Sequence, residues 1–232
     1  TDARVCVSRD IMELRREREH TPEDKLVYIP NAVDPDRFGR PSKKKDEVMA
    51  QFGWDAGDPL VLSVGRLVAA KDYETLVEAF SILASRLPAA RCVIAGEGEC
   101  RARIEEAISS FGVQGSLALP GSRSDVPDLL AAADLFVMSS IREGLPVSML
   151  EAMASGTPVV STAVGGIPDA VTDGDSALLV PPRDPAALAS AMERVLGDGA
   201  LRKRLAEKAS RVVGGRFSIG SAAEAIGGIY EN

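Results

Sequence analysis

The sequence is poor in the residues that most often carry metal-dependent or nucleophilic chemistry. Its 232 residues include one histidine and three cysteines, and aromatic residues make up only 4% of the chain. His20 lies in a charged segment, while Cys6, Cys92 and Cys100 are odd in number and widely spaced. We therefore expect no disulfide framework, no metal site and no serine–histidine or cysteine–histidine catalysis.

The chain also lacks a long apolar run and a clustered positive charge. No uninterrupted apolar segment approaches the roughly 20 residues that span a bilayer, and the polar first residues do not resemble a signal peptide. The formal net charge is −7, and the only tight basic run is residues 43–45, which we expect in a solvated loop. Surfaces that bind nucleic acid or anionic membranes need clustered Lys and Arg, so we expect neither partner here. These features predict a soluble, cytoplasmic protein.

What the sequence does have is a regular alternation of short apolar runs and amphipathic segments. Runs typical of buried strands lie at residues 60–64, 91–95, 116–119, 135–138, 158–162 and 177–180, with helical segments between them. Parallel strands need crossover connections, so the alternation predicts an α/β fold with a parallel sheet and helices on both faces. Residues 3–30 have a pattern typical of a strand, a helix and a second strand. Beyond residue 185 the pattern predicts only helices, the last of them at residues 219–230.

The segment from residue 135 to residue 160 is the most informative part of the chain. Its apolar strand gives way to a polar turn that holds Glu143 and Gly144, followed by Pro146 as the expected first residue of a helix. We expect that helix to carry Val147, Leu150, Met153 and Ala154 on one face, and Glu151 about 7–8 Å along its axis at ~1.5 Å per residue. Because a helix start offers free N–H groups, the pattern predicts an anion site flanked by two acids.

Two cations follow the first regular strand and complement this helix start. In parallel sheets ligands bind beyond the carboxyl ends of the strands, so Gly65, Arg66 and Lys71 should share a rim with Glu143. Arginine and lysine at such an edge suit a phosphate, although an exposed pair that neutralises neighbouring acids is the alternative. The segment 96–98 lacks the third glycine of a dinucleotide fingerprint, which disfavours a nicotinamide site.

Five segments carry a resemblance to a known family. In chain order they are I-P-N-A-V-D, S-V-G-R-L-V-A-A-K, V-I-A-G-E-G, L-P-G-S-R-S-D-V-P-D-L-L and E-G-L-P-V-S-M-L-E-A-M-A-S-G-T-P-V-V. Together they resemble the signatures of the family-4 retaining glycosyltransferases, whose Glu-x7-Glu motif is the last segment. Ala32 and Asp72 depart from the family pattern, which usually has glycine at both positions, and an alanine that needed a positive φ would be strained.

The resemblance implies one half of the two-domain GT-B architecture. Residues 1–216 would form the Rossmann-like domain that binds a nucleoside diphosphate sugar, and residues 217–232 a carboxyl-terminal crossover helix. The acceptor-binding amino-terminal domain of the same enzyme is absent from this sequence and would be its partner. The full-length protein would be cytoplasmic, or peripheral at the cytosolic membrane face through that missing half.

The resemblance also implies a role for each matching residue. Arg66 and Lys71 would hold the diphosphate and stabilise its charge as the sugar leaves, with Glu143 beside the hydroxyls of the transferred sugar. Glu151 would accept hydrogen bonds from the ribose. The other implied substrate-binding residues are Gly65, Gly96, Arg123, Asp125, Val126, Gly144, Leu145, Pro146 and Val147. The implied substrate is a UDP or GDP sugar, and the family generally requires no metal or cofactor.

Three alternatives stay open at this point. The first is a binding module that holds a nucleotide sugar without turning it over, since the other wall of the cleft is absent from this sequence. A sugar-nucleotide epimerase or a phosphorylase of the same fold is the second alternative, and it would need general acid and base groups in the cleft. An unrelated oxidoreductase is the third. The sequence leaves the nucleobase, the sugar and the acceptor undetermined.

Overall fold

The computed structural model describes residues 3–230, which form a six-stranded sheet flanked by helices and a separate two-stranded sheet. The strands are β1 (Arg4–Cys6), β2 (Leu26–Tyr28), β3 (Leu60–Val64), β4 (Arg91–Ala95), β5 (Leu117–Gly121), β6 (Leu135–Met138), β7 (Val159–Thr162) and β8 (Leu178–Val180). The helices are α1 (Arg9–Arg18), α2 (Pro35–Phe38), α3 (Lys45–Ala50), α4 (Tyr73–Arg86), α5 (Arg101–Ser110), α6 (Val126–Ala132), α7 (Val147–Ala154), α8 (Ile167–Ala170), α9 (Pro185–Gly197), α10 (Gly199–Arg216) and α11 (Ile219–Tyr230).

All neighbouring strands of the larger sheet run parallel, in the order β5-β4-β3-β6-β7-β8. The chain therefore winds outward from β3 in one direction and from β6 in the other. The predicted α/β fold is confirmed, including its helices on both faces. In such sheets the direction of winding reverses between the two central strands, and this reversal opens a crevice at their carboxyl ends. Here the crevice lies between the loops that follow β3 and β6.

The core occupies both faces of the sheet because successive side chains of each buried strand point in opposite directions. Along β3, Val61 packs in the layer that includes α4, α5 and α9, whereas Leu60 and Leu62 pack in the layer that includes α3, α6 and α7. All three side chains are fully buried. A strand buried on both faces reads as a continuous apolar run, which is why periodicity located these strands to within one or two residues.

A smaller unit precedes the larger sheet. Strands β1 and β2 pair in parallel, and Ser8 caps α1 through a bond from the Ile11 N–H to its side chain (3.2 Å). The chain that follows β2 is tied to the carboxyl-terminal segment: the Val33 N–H donates to Phe217 O (2.9 Å), and the Ile219 N–H donates to Val33 O (3.1 Å). The two segments therefore pass each other side by side.

The last helix, α11, matches its predicted bounds and is largely apolar. Up to residue 228 none of its side chains is buried, and Ile219 and Ile226 are 55% and 45% exposed. Among residues 3–230, no helix is both long enough and apolar enough to cross a membrane.

Candidate functional site

The loops after β3 and β6 bring Lys71 and Glu143 into direct contact at the crevice. The ammonium Nζ of Lys71 lies 2.6 Å from Oε1 of Glu143, and the two side chains are only 18% and 11% exposed. The loops also share main-chain and side-chain bonds. The Ile141 N–H donates to Ala70 O, and the Ser139 hydroxyl donates to Lys71 O, both at 2.9 Å. A cation and a carboxylate are thus held together where the sheet offers its binding crevice.

The position of Glu143 is fixed by its own loop and by the loop after β7. Ser140 donates its hydroxyl hydrogen to Oε1 of Glu143 (2.7 Å), and Thr162 holds the Ser140 carbonyl in turn (2.6 Å). Gly165 has φ +55°, and a β-carbon there would lie 1.8 Å from Glu143 O. The Gly166 N–H donates to Gly144 O (2.8 Å). The backbone of Glu143 and Gly144 is therefore held by close contact with the loop after β7, which the two glycines of that loop allow.

The backbone around Lys71 explains one departure from the family pattern. Asp72 has φ +48°, in the left-handed region that favours glycine, and aspartate is among the residues that tolerate it best. Thr75 also donates its hydroxyl hydrogen to the Asp72 carboxylate (2.8 Å). The expected strain at Ala32 is wrong, because Ala32 is not among the described non-glycine residues with positive φ.

A buried polar layer lies beneath this pair. The Tyr73 side chain is 3% exposed, and burial raises the pKa of its phenol far above the usual value, with Ser63 opposing the shift and Glu143 adding to it. A β-carbon at Gly65 would lie 2.9 Å from the Tyr73 hydroxyl and 3.6 Å from Lys71 Nζ. Gly65 therefore leaves the space that both side chains occupy.

The helix start differs from the prediction by one residue. Pro146 has ψ 120° and serves as the N-cap, so α7 begins at Val147. Its first N–H groups have no partner within the helix and are free to bind an anion. Of the residues expected on one face of this helix, Leu150 and Met153 are fully buried, whereas Val147 is 43% exposed. Asn31, from the first family motif, holds the entry to α7 by donating to Leu145 O (2.6 Å).

Gly144 and Glu151 flank this helix start. A β-carbon at Gly144 would lie 3.1 Å from Ile11 Cδ1 and 3.3 Å from Val7 Cγ2, so the amino-terminal unit covers this loop. Glu151 lies about 6 Å along the axis from the corrected start at ~1.5 Å per residue. Burial raises the pKa of the Glu151 carboxyl, and Arg37 opposes the shift.

A cavity of about 220 Å³ adjoins the loops after β3, β4 and β5. The predicted site residues that line it are Gly65, Arg66, Gly96, Arg123 and Val126. Arg66 is exposed and pairs with no carboxylate in the described part of the chain. This cavity therefore continues the crevice away from Glu143. The guanidinium group of Arg66 is available there to bind an anion.

Arg123 is held as a fixed wall of this cavity. Its Nε and Nη2 donate to the two oxygens of Asp125 (2.8 and 2.7 Å), and Nη2 also donates to Gln51 Oε1 (2.6 Å). Lys43 adds a further bond to Asp125 (2.7 Å), so the basic run is not a free solvated loop. The hydrogen bond from Arg123 holds the pKa of Asp125 well below its usual range. The ionised Asp125 carboxylate therefore holds the side chains of Arg123 and Lys43 in place.

Sequence reasoning missed the residues that orient the site, namely Asn31, Ser140, Lys43 and Gln51. Asn31 lay within a recognised motif and Ser140 lies three residues before Glu143, but Lys43 and Gln51 gave no pattern that pointed to partners more than seventy residues away in the chain. A larger cleft of about 870 Å³ lies where the chain enters β6 and β7, lined in part by Asp134 and Pro158, and it contains none of the predicted site residues. Within residues 3–230 no cluster of three or more His, Cys, Asp or Glu side chains is arranged to hold a metal.

Comparison with known proteins gives the family. Residues 44–212 match the family described as glycosyl transferases group 1. This chain belongs to the group 1 glycosyltransferase family. A curated relative, the lipopolysaccharide core biosynthesis glycosyltransferase LpsE of Rhizobium meliloti, is 38% identical over 169 residues, which cover 73% of this chain and 48% of LpsE.

Two solved structures share the fold of this group 1 chain. HepE of Anabaena, solved in complex with UDP-glucose, superposes with a TM-score of 0.89 at 20% identity and covers 100% of this chain and 64% of its own. The carboxyl-terminal domain of a group 1 protein from Francisella tularensis gives a TM-score of 0.71 at 24% identity, covering 81% of this chain and 99% of that domain. The chain thus spans about half the length of the curated relatives it matches.

Proposed function

We propose that this chain is the donor-binding half of a retaining glycosyltransferase, which transfers a sugar from a nucleoside diphosphate sugar to an acceptor bound elsewhere. The observation that carries the proposal is the meeting of Lys71 with Glu143 at the central crevice, next to the free N–H groups of α7. Family membership and the fold shared with a protein solved with UDP-glucose support the same reading.

The geometry suggests how the donor lies. The diphosphate would sit between Lys71, Arg66 and the start of α7, which together supply two cations and a helix N-terminus. The transferred sugar would contact Glu143, and the ribose would contact Glu151 farther along the helix. The nucleobase would enter the cavity walled by Arg123, with Gly96 and Val126 beside it.

The residues of this half would act mainly on the leaving group. As the bond to the sugar breaks, negative charge grows on the departing phosphate oxygen. Fixed cations and N–H donors aimed at that oxygen stabilise the transition state more than the ground state, which lowers the barrier. The resemblance to the retaining members of the family implies that the leaving phosphate helps to deprotonate the acceptor, so no side chain of this half needs to act as a base.

The acceptor site would be built with a second domain of the same enzyme. A separately solved carboxyl-terminal domain that covers 81% of this chain shares its fold, which supports a separate donor-binding domain. We place that domain at residues 1–216 and a crossover helix at 217–232. The exposed Ile219 and Ile226 of α11 would then pack against that second domain. We propose a cytoplasmic enzyme, with any contact to the cytosolic membrane face made by the other half. In isolation this chain would bind the donor without turning it over.

The epimerase alternative is disfavoured by the state of the acids in the crevice. It would need a free general acid and base beside the transferred sugar, but three carboxylates near the cavity are each engaged by a cation. Glu143 pairs with Lys71, Glu97 pairs with Arg101 (2.9 Å), and Asp125 is tied as described above.

A binding experiment tests the proposal directly. Thermal denaturation of the 232-residue chain would be followed with UDP, GDP, ADP and their glucose derivatives, because a ligand that binds only the folded state raises the Tm. We expect one nucleotide series to stabilise the wild type and the double substitution Arg66→Ala, Lys71→Ala to remove the effect. Lys203→Ala is the matched control, since this lysine on α10 is exposed and far from the crevice. Equal stabilisation of the double variant would contradict the phosphate assignment.

A further inference from the structure

Without a ligand, the ammonium that we assign to the donor diphosphate is already neutralised by a carboxylate of the same chain. Lys71 Nζ and Glu143 Oε1 are 2.6 Å apart, and both side chains are more than four-fifths buried. Charges that are shielded from water are screened weakly, so Glu143 both cancels the attraction of Lys71 and repels an arriving anion. A diphosphate therefore meets a site with little of the positive charge that its lysine would provide alone.

The two oxygens of Glu143 are used unequally. Oε1 accepts bonds from Lys71 and from the Ser140 hydroxyl, whereas no hydrogen bond from residues 3–230 reaches Oε2. A carboxylate with one free oxygen gains stabilisation from a hydroxyl donor placed beside it. A sugar attached to the diphosphate brings such hydroxyls to Glu143, whereas the hydroxyls of a free nucleoside diphosphate are those of its ribose, which we assign to Glu151.

Glu143 is also prevented from swinging away from an incoming anion. Ser140 anchors its carboxylate, and the packing of Gly165 against the Glu143 carbonyl holds its main chain. The repulsion is therefore built into the loop and cannot be relieved by a small rearrangement of the side chain alone.

We infer that Glu143 makes this site selective for the nucleotide sugar over the free nucleoside diphosphate. The carboxylate opposes binding of the diphosphate, and only the hydroxyls of an attached sugar offset that opposition. After transfer, the product has lost its sugar and leaves from a site that again favours the Lys71–Glu143 pair. This inference rests on the proposed function, and it adds that the same acid favours the donor and promotes release of the product.

The substitution Glu143→Gln tests the inference because it keeps the shape of the side chain and removes its charge. Dissociation constants would be measured by calorimetry on the 232-residue chain for UDP, GDP and ADP and for their glucose derivatives. We expect the variant to bind the free diphosphate about tenfold more tightly, the effect of about one charge-assisted hydrogen bond regained by Lys71. Affinity for the nucleotide sugar should not rise, because the gain at the diphosphate is offset by the lost bond to the sugar.

Two further variants sharpen the result. Ser140→Ala removes the hydroxyl that anchors Glu143, so it should reduce the selectivity for nucleotide sugar in the same direction but by less. Glu193→Gln removes a carboxylate that pairs with Arg86 on the helical layer, and it should leave both dissociation constants unchanged.

The possible outcomes separate this inference from the proposed function. If the wild type binds a nucleotide series and Glu143→Gln weakens diphosphate and nucleotide sugar equally, Glu143 is a uniform contact and the inference is wrong while the proposed function stands. If the wild type binds none of the nucleotides or their sugars, the proposed function is overturned and the inference with it.

Discussion

The contact between Gly165 and the Glu143 loop gives the sharpest prediction. At Gly165, φ is +55° and a β-carbon would lie 1.8 Å from Glu143 O and 2.8 Å from Glu143 C, so Gly165→Ala must move the main chain of the site. The left-handed conformation costs an alanine roughly 1–2 kcal/mol, and forcing an extra carbon into a packed region costs about 1–3 kcal/mol more. We therefore expect a loss of stability of about 2–5 kcal/mol.

Gly174 provides a matched control for this substitution. Its φ is +72°, but a β-carbon there would meet nothing within 4 Å, so Gly174→Ala carries the conformational cost without the collision. For a chain of this size, 1 kcal/mol corresponds to a Tm shift of about 2–4 °C. Gly165→Ala should lower the Tm by several degrees more than Gly174→Ala in melts followed by circular dichroism.

The same pair of variants separates stability from binding. Displacing Glu143 also displaces its partner Lys71 and the approach to α7, so Gly165→Ala should lose nucleotide binding under conditions where it is still folded. Gly174→Ala should keep wild-type affinity. Equal Tm losses and equal affinities for the two variants would refute the claim that this backbone contact positions the site.

Three further predictions concern Glu151 and Lys71. Glu151→Ala should weaken binding of UDP more than binding of pyrophosphate, because the contact assigned to it is with the ribose, and equal losses in calorimetry would contradict that role. Burial raises the pKa of Glu151 in the folded state above the ordinary value of 4.5, so the folded chain holds this proton more tightly than the unfolded chain does. The free energy of unfolding therefore falls as the pH rises from the unfolded-state pKa through the folded-state pKa. Glu151→Gln should therefore raise the Tm at pH 7, with an advantage that shrinks below about pH 4.5; a constant advantage would exclude the titration. In the full-length enzyme, Lys71→Ala should lower kcat by roughly 10²–10³, the scale for removal of one oxyanion donor. A change confined to KM would make Lys71 a contact of equal strength in the ground and transition states.

The fold was predictable because burial on both faces leaves a clear mark on the sequence. Each strand of the larger sheet is a short apolar run between turn residues, and the alternation with helices requires parallel pairing. The order of the strands was not predictable from these runs, because every one of them has similar composition. The pairing of β3 with β6, which creates the crevice, therefore came only from the structure.

The site was predictable to the extent that its residues follow strands directly. Lys71 and Glu143 were expected on one rim, but their direct pairing depends on side-chain rotamers that a sequence does not report. The start of α7 was misplaced by one residue because Pro146 has a φ that suits a helix, and only its ψ of 120° excludes it. The basic run at residues 43–45 was read as solvated because its acidic partners, Asp125 and Asp134, lie more than eighty residues away in the chain.

The loops of the crevice touch one another largely through main-chain atoms. A β-carbon at Gly96 would lie 1.8 Å from Gly65 O, and one at Gly98 would lie 2.3 Å from Leu67 O, while the Leu67 N–H donates to Glu97 O at 2.9 Å. Such a frame depends on glycine at a few positions and hardly at all on the side chains between them. Ser122, which lines the cavity outside that frame, is therefore a position at which we expect a substitution to change the proposed base preference while the shape of the crevice is retained.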